Sequence, residues 1–420
     1  MELDTIPGET LAQIEEIGNA DVVVGMLRSD PEGGGDGAAR LVRDAMGGLS
    51  HSARAVVIHN NGAVEPGAAS PATEADDEGL RVLSCNLSAP NLSDTPQPYR
   101  TDAYRLIFVA SGKLEARACG VIASDLRGVT PQWIYRLVEP ALEQDFDFVA
   151  PVYAGHKFEG LINKSIIAPL HRALYGLRIQ NPMGPDLAVS GRLLQQVLAR
   201  GSQARNGQQQ AHPASIGATA AAGGFRICET NVGVRVQPAA DLMNLSSLLA
   251  QVIGPVFDEM ERNAAAWQRN RGSQLVPRFG DPAPAPPESG STDIRRMVES
   301  FQLGAQNLQD IWRLVLPPKA MLEIVRLARL PAAEFRMPDE LWVSIIYDFA
   351  LGHRLRTISR DHLLRSLTPL YLGWVASYAF ELETAGPSAA EERLEQLANT
   401  YEAAKHYLVS RWRWPDRFNP

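Results

Sequence analysis

The chain has 420 residues, 45% of them hydrophobic, and its 48 acidic and 40 basic residues give a net charge of −8. This length allows two domains, or one large α/β domain with a helical addition. The acidic balance argues against a general binder of nucleic acid or of anionic membranes. Three widely spaced cysteines, Cys85, Cys119 and Cys228, predict neither a disulfide framework nor a zinc site.

The amino-terminal residues show no basic segment followed by an apolar one, and no run of about 18 apolar residues occurs anywhere. We therefore expect no secretory signal, no integral membrane segment and a cytoplasmic location. Cys119 and Cys228 stand in apolar runs, which predicts that both behave as small core residues.

Strand-like and helix-like segments alternate in the first half of the chain. Helices are expected through Leu41 and Met46 and at residues 101–114. Short apolar runs predict four strands, at residues 21–26, 53–59, 81–85 and 118–123. This alternation is typical of right-handed crossovers and a mainly parallel sheet.

The second half of the chain differs from the first in composition and in periodicity. Residues 200–224 are low in complexity and are predicted to include a mobile loop, and residues 225–236 predict a further strand. A Pro-rich segment at 281–287 is followed by helical periodicity. We expect an α/β domain at 1–255, a helix end and linker at 256–291, and a helical domain at 292–420. The aromatic residues of that last domain are expected in its core: Trp342, Tyr347, Tyr371, Trp374 and Tyr378.

The strand predicted at residues 118–123 is followed directly by Ser124 and Asp125. An acidic residue at the carboxyl end of a buried strand lies where α/β sheets bind ligands. Its carboxylate could ligate Mg²⁺ or Mn²⁺ on a diphosphate, and the alternative is a role at a helix start or in a loop. Arg100 and Arg105 begin the preceding helix, where a cation could neutralise a leaving diphosphate. The alternative is a solvated basic face.

Three further positions carry candidate chemistry. His156 and Lys157 follow an apolar strand and could bind an anionic acceptor, although a lone His is often structural. Asp186 follows a loop stiffened by Pro and Gly, and it could bind sugar hydroxyls or cap a helix. The Gly-rich segment 33–37 lies between a strand and a helix, as a phosphate-binding loop would. It matches no phosphate-binding motif, so a flexible connection is the alternative.

At these positions the chain resembles bacterial retaining glycosyltransferases of the GT-A fold, the group that includes mannosylglycerate synthase and glucosyl-3-phosphoglycerate synthase. The segments that carry the resemblance span nearly the whole chain: residues 123–134, 156–160, 174–186, 231–235, 338–342, 347–350 and 360–373. The resemblance implies an α/β fold with a Rossmann-like mixed sheet, followed by an all-α carboxyl-terminal domain.

The resemblance also implies roles for individual residues. Asp125 and Asp186 would be catalytic. Donor binding would involve Arg28, Asn60, Arg100, Ser124 and Asp125, and acceptor binding would involve His156, Lys157, Asp186 and Arg235. A divalent metal, Mg²⁺ or Mn²⁺, would be held by Asp125, with Gln237 at the position of the family's His ligand.

The departures from the family pattern fall in the same region. The family's metal motif is Asp-x-Asp, and this chain reads Ala123-Ser124-Asp125. Gln237 replaces the metal-binding His, and the loop after the first strand begins Leu27-Arg28 instead of with the family's Pro-Ser. Loss of two of three metal ligands is expected to remove most of the affinity for a divalent ion.

These observations leave three hypotheses. The first is transfer of a sugar from a GDP- or UDP-sugar to a small anionic acceptor such as glycerate or phosphoglycerate, with retention. The second is a binding or scaffold protein that has lost its metal site and could pair with an active paralogue. The third is a different enzyme with a phosphate ligand on the same sheet. The aromatic helical tail is consistent with a homodimer.

Overall fold

The computed structural model describes residues 8–27, 36–49, 53–60, 80–85, 101–124, 128–203, 212–235, 245–286 and 293–415. The chain forms two compact units. The sheet unit comprises the described parts of Met1–Ala154, Ile179–Pro238 and Leu275–Ala285. The helical unit comprises the described parts of Gly155–Arg178, Ala239–Gln274 and Pro286–Pro420. The domain limits of 1–255 and 292–420 stay a prediction.

The sheet unit is built on one eight-stranded mixed sheet in the order β10-β8-β5-β7-β4-β1-β2-β3. In chain order the strands of the protein are β1 Val22–Met26, β2 Ala55–Asn60, β3 Leu80–Cys85, β4 Ala118–Ile122, β5 Phe148–Ala154, β6 Leu177–Arg178, β7 Leu187–Ser190, β8 Ile227–Val234, β9 Gln274–Leu275 and β10 Arg278–Phe279. Only β7 runs antiparallel to its neighbours β4 and β5 among the described pairs. The predicted α/β architecture with a mainly parallel sheet is confirmed.

Helices cover both faces of this sheet. Those of the sheet unit are α1 Gly8–Ile17, α2 Asp36–Met46, α3 Thr101–Lys113, α4 Pro131–Glu143, α6 Gly191–Gln203 and α7 Pro213–Ala222. Every residue of β1 and of β4 is buried, as expected for central strands covered on both sides. Cys119 and Cys228 are fully buried in this core, as predicted.

The segment 200–224, which is predicted to include a mobile loop, is helical at residues 200–203 and 213–222. Residues 213–222 form α7, a helix that is buried over most of its length. Its sequence is rich in Ala, the strongest helix former, and small side chains allow close packing. His212 caps the helix by accepting a hydrogen bond at Nδ1 from the Ala214 amide, at 3.1 Å. Residues 204–211 lie outside the described residues.

The helical unit contains α5 Ala168–Tyr175, α8 Leu245–Arg262, α9 Ala264–Trp267, α10 Ile294–Asn307, α11 Gln309–Arg313, α12 Pro318–Leu327, α13 Asp339–Leu355, α14 Arg360–Ser366, α15 Thr368–Glu381, α16 Pro387–Ala403 and α17 Lys405–Arg413. The predicted helical carboxyl-terminal region is confirmed. All five aromatic residues predicted for its core are buried. In the described residues no helix combines the length and the apolar character needed to cross a bilayer.

A π-helical turn at Asn163–Ile167 leads into α5. The backbone carbonyl of Ser165 accepts two hydrogen bonds from side chains, one from Trp342 Nε1 at 3.2 Å and one from the Tyr401 hydroxyl at 2.9 Å. A π-helical turn alters the normal helical bonding pattern, which frees carbonyl oxygens for such partners. This carbonyl therefore joins α13 and α16 to the turn.

Gly25 lets α3 pack against β1. A Cβ atom built at Gly25 would lie 2.8 Å or less from three carbon atoms of Ile107 in α3. We expect Gly25→Ala to lower the free energy of unfolding by about 1–3 kcal/mol, because the whole Ile107 side chain must move. Urea denaturation measures this, with Gly47→Ala as the control, since its nearest neighbour would be 3.5 Å away. Equal losses in both variants would contradict the prediction.

His353 makes the helical unit sensitive to acid. Burial, together with the charges of Arg360 and Arg356, lowers the pKa of His353 from 6.5 to about 4. The unfolded chain therefore binds a proton before the folded one does, so stability is lost as pH falls from 6.5 towards 4. We expect His353 to account for a loss of up to about 3 kcal/mol, and His353→Leu to remove this part of the pH dependence. Denaturation curves at several pH values, compared between wild type and variant, measure it; parallel pH profiles would contradict it.

Candidate functional site

Strand order reverses between β1 and β4. The chain leaves β1 towards β2 and leaves β4 in the opposite direction, towards β5. Ligands of open α/β sheets bind outside the carboxyl ends of strands at such a point. The amide of Leu27 donates to the Ile122 carbonyl at 2.8 Å, so β1 and β4 stay paired up to this edge. The candidate site lies here.

Asp186 is the central side chain of this edge, and it is completely buried. Its Oδ1 atom accepts hydrogen bonds from the Ala123 amide at 2.7 Å and from the Ser124 amide at 2.9 Å. Its Oδ2 atom accepts from the Ser124 hydroxyl and from the Tyr153 hydroxyl, the latter at 2.7 Å. Four donors on a buried carboxylate leave little capacity for a sugar hydroxyl. The geometry supports an anchoring role, in which Asp186 holds the two residues that follow β4.

The loop before Asp186 is fixed along its length. Pro182 occupies the second position of a turn closed by the Gly184 amide and the Asn181 carbonyl, at 3.1 Å. Asn181 Nδ2 donates to the Pro151 carbonyl at 2.9 Å, and the Tyr104 hydroxyl donates to the Pro185 carbonyl. This bonding orients the carboxylate at position 186 towards the end of β4.

Tyr153 is a site residue that the sequence reasoning missed. A β-bulge between Val152 and Tyr153 shifts the pairing of β5 with β8, and Tyr153 lies opposite Gly233. Gly233 has a φ of 125°, which side chains rarely adopt. Bulges redirect side chains at sheet ends, and this one brings the phenol to Asp186. The sequence signal for Tyr153 is its place as an aromatic residue near the end of β5. That strand pairs with β8, which carries Gly233.

Burial and the neighbouring charges determine the protonation state of the Tyr153 hydroxyl. Burial raises the pKa of Tyr153 well above its usual 10.0, the adjacent Asp186 carboxylate raises it further, and Arg235 opposes them. The phenol therefore stays protonated and donates to Asp186. The ring of Trp133 packs beside it, with centroids 5.7 Å apart. Trp133 is held in the first turn of α4 because the Thr130 side chain accepts a hydrogen bond from its amide.

Arg235 supplies a cation to this edge. Its guanidinium lies over the Tyr153 ring, with Cζ 5.5 Å from the ring centroid. Its Nε atom is buried and has no hydrogen-bond partner among the residues that the structure describes. Half-buried guanidinium groups with free donors are suited to carboxylates and phosphates. Arg235 is therefore the described side chain of this edge that is best placed to bind an anion.

His156 and Lys157 belong to the helical unit. His156 Nδ1 accepts a hydrogen bond from the Phe158 amide at 3.2 Å, so the neutral ring carries its proton on Nε2. Lys157 is buried, and its Nζ donates to the carbonyls of Ala385 at 2.8 Å and Glu383 at 3.4 Å. Its ammonium group therefore binds carbonyl oxygens of its own unit.

Several predicted site residues lie outside the described residues: Arg28, Arg100, Asp125 and Gln237, together with the Gly-rich segment 33–35. Asn60 is the last residue of β2. The described residues contain no group of three His, Cys, Asp or Glu side chains placed to hold a metal ion. They do not supply a metal site by themselves, and we assign no chemical step to a metal.

No protein-family model matches the chain, and no curated protein does. Glucosyl-3-phosphoglycerate synthase from Mycobacterium tuberculosis, in complex with Mg²⁺ and UDP, is 21% identical over 60% of this chain and 84% of its own, with a TM-score of 0.37. Its complex with Mn²⁺, UDP-glucose and phosphoglyceric acid is 20% identical over 61% and 85%, with a TM-score of 0.34. A mycobacterial protein is 21% identical over 60% and 80%, with a TM-score of 0.36. At these values the likeness assigns neither an activity nor a ligand to this chain.

A double-mutant cycle tests the bond between Tyr153 and Asp186. We expect Tyr153→Phe to lower the free energy of unfolding by about 1–3 kcal/mol, because it leaves a buried carboxylate with one donor fewer. Tyr153→Phe and Asp186→Asn should be non-additive by about 1 kcal/mol or more.

Asp147 provides the control for this cycle. It is a buried carboxylate at the amino end of β5, bonded to Ser190, Arg192 and Arg226. Tyr153→Phe combined with Asp147→Asn should therefore be additive. Additivity of the Tyr153 and Asp186 variants would show that the bond does not connect them energetically.

Proposed function

We propose that this chain is a glycosyltransferase that moves a sugar from a nucleoside-diphosphate donor to a small anionic acceptor, with retention of configuration. The observation that carries the proposal is the ordered edge at β4. There Asp186 holds Ser124, the residue before Asp125, and the ring of Tyr153 lies against the guanidinium of Arg235, whose Nε has no partner among the described residues. The sequence resemblance supports the same reaction class.

Within this proposal the residues of the sheet unit have distinct tasks. Asp186 is a positioning residue, which holds the backbone that leads into Asp125. Arg235 binds the carboxylate or phosphate of the acceptor. Arg28, Asn60, Arg100 and Ser124 are proposed to contact the donor, as the resemblance implies. Catalysis then depends mainly on stabilising the charge that develops as the nucleoside diphosphate leaves. Acceptor roles for His156 and Lys157, and a dependence on Mg²⁺ or Mn²⁺, stay predictions.

Turnover and binding measurements test the proposal. Wild-type protein is assayed with UDP- and GDP-glucose and -mannose against glycerate and 3-phosphoglycerate, with and without Mn²⁺, and nucleotide binding is measured by calorimetry. We expect Asp125→Ala to abolish transfer. Arg235→Gln should raise the KM for the acceptor at least about tenfold with little change in the KM for the donor, because an anion loses a charged partner.

Arg81→Gln is the matched control, since it makes the same charge change on the exposed edge strand β3. It should leave both KM values unchanged. Equal, background-level transfer by wild type and Asp125→Ala over the whole donor panel would refute the proposal. Absence of nucleotide binding in every condition would support the non-catalytic scaffold instead.

A further inference from the structure

Three segments of the helical unit converge on one surface. The end of α13 meets the end of α17, because Arg354 Nη1 donates to the Trp412 carbonyl at 2.6 Å. The turn after α9 joins them through Arg413, whose Nε donates to Gln268 Oε1 at 2.9 Å. The rings of Trp267 and Trp412 pack edge to face with centroids 5.2 Å apart. We name residues 267–272, 353–357 and 405–415 together the Arg–Trp surface.

This surface is strongly basic. Its three segments contain no Asp or Glu, whereas their basic residues are Arg269, Arg271, Arg354, Arg356, Lys405, Arg411 and Arg413. Of these, Arg411 is buried and forms an ion pair with Asp348 of α13 at 3.3 Å, so it adds no net charge to the surface. Four of these side chains are exposed: Arg269, Arg271, Arg356 and Arg413. No ion pair with a described carboxylate neutralises Arg269, Arg271 or Arg356. Burial, together with the neighbouring charge of Arg271, lowers the pKa of Lys405 to about 8, against the opposing effect of Glu402.

Apolar side chains are exposed among these cations. Trp414 is 68% exposed and Leu355 is 45% exposed. The other six of the seven tryptophans are all at most 3% exposed. A large exposed aromatic ring is therefore unusual for this protein, and it stands next to Arg413. Exposed apolar side chains ringed by polar ones mark interaction sites more often than scattered single ones do.

We propose that the Arg–Trp surface docks on an anionic lipid membrane. Trp favours the interface between headgroups and acyl chains, and Arg pairs with lipid phosphates there. A single-stranded nucleic acid would also use Arg and an aromatic ring, through stacking. The exposed Leu355 argues for a membrane over a single-stranded nucleic acid. An aliphatic side chain contributes little to stacking on bases, but its burial at the boundary of the acyl chains is favourable.

The net charge of −8 describes the whole chain and not this surface. Electrostatic attraction to a membrane falls off within about 10 Å at moderate salt, so the nearest side chains decide it. A local cluster of unpaired arginines can therefore bind an anionic surface on a protein that is acidic overall. This proposal is independent of the transferase activity.

Vesicle binding by the full chain tests the proposal. Co-sedimentation is measured with phosphatidylcholine vesicles with and without about one third phosphatidylglycerol, at low and raised salt. We expect binding only to the anionic vesicles and weakening by salt. Arg269→Glu/Arg271→Glu should lower the partition coefficient at least about tenfold. The matched control is Arg295→Glu/Arg296→Glu, which reverses two exposed charges at the start of α10 and should bind like wild type.

Tryptophan fluorescence gives a second, independent measurement on folded wild-type protein. Brominated lipids in the anionic vesicles should quench emission, because Trp414 is exposed, and Trp414→Phe should remove that quenching. Thermal melts confirm that each variant folds. Failure to bind anionic vesicles, equal loss in the control variant, or binding of a single-stranded oligonucleotide without vesicle binding would each overturn the proposal.

Discussion

The carboxylate of Asp186 is a charge buried without access to solvent, and such a group is tolerated only when its lone pairs are occupied. Two of its four donors are the consecutive amides of Ala123 and Ser124, just where β4 has ended. Beyond the end of a strand, amides lose their ladder partners and need others. The carboxylate takes the place of the missing neighbour strand, so the path of the chain into Asp125 depends on it.

The same carboxylate determines the state of Tyr153 and, through it, the surroundings of Arg235. A protonated phenol donates to Asp186 where the pairing of β5 with β8 shifts: Val152 pairs with Asn231 and Tyr153 with Gly233, so Val232 of β8 is the bulged residue. The guanidinium of Arg235 lies over the Tyr153 ring, whose hydroxyl donates to Asp186, and Arg235 forms no ion pair with that carboxylate. Such an arrangement keeps a cation in place, and its Nε donor has no partner among the described residues.

The fold could be predicted from the sequence to a large extent, because β1 and β4 are short, continuous apolar runs that alternate with helical segments. The candidate site could be predicted only in part. Asp186 was recognised as important, but its burial depends on partners 33 and 62 residues away. The sequence predicts an acceptor role for Lys157, but it gives no sign that the ammonium group also binds carbonyls more than 220 residues away. Single-sequence patterns contain no information about such distant hydrogen bonds.

The order of residues along the chain also does not show how charge is distributed over the folded surface. Acidic residues outnumber basic ones in the whole chain, yet the turn after α9 and the ends of α13 and α17 have no acidic residue among them. Each segment alone is too short to count as a basic run. They become one surface only because Trp412 packs against Trp267 and accepts a hydrogen bond from Arg354. Buried aromatic packing thus assembles the cations, and whole-chain charge is a poor guide to what such a surface binds.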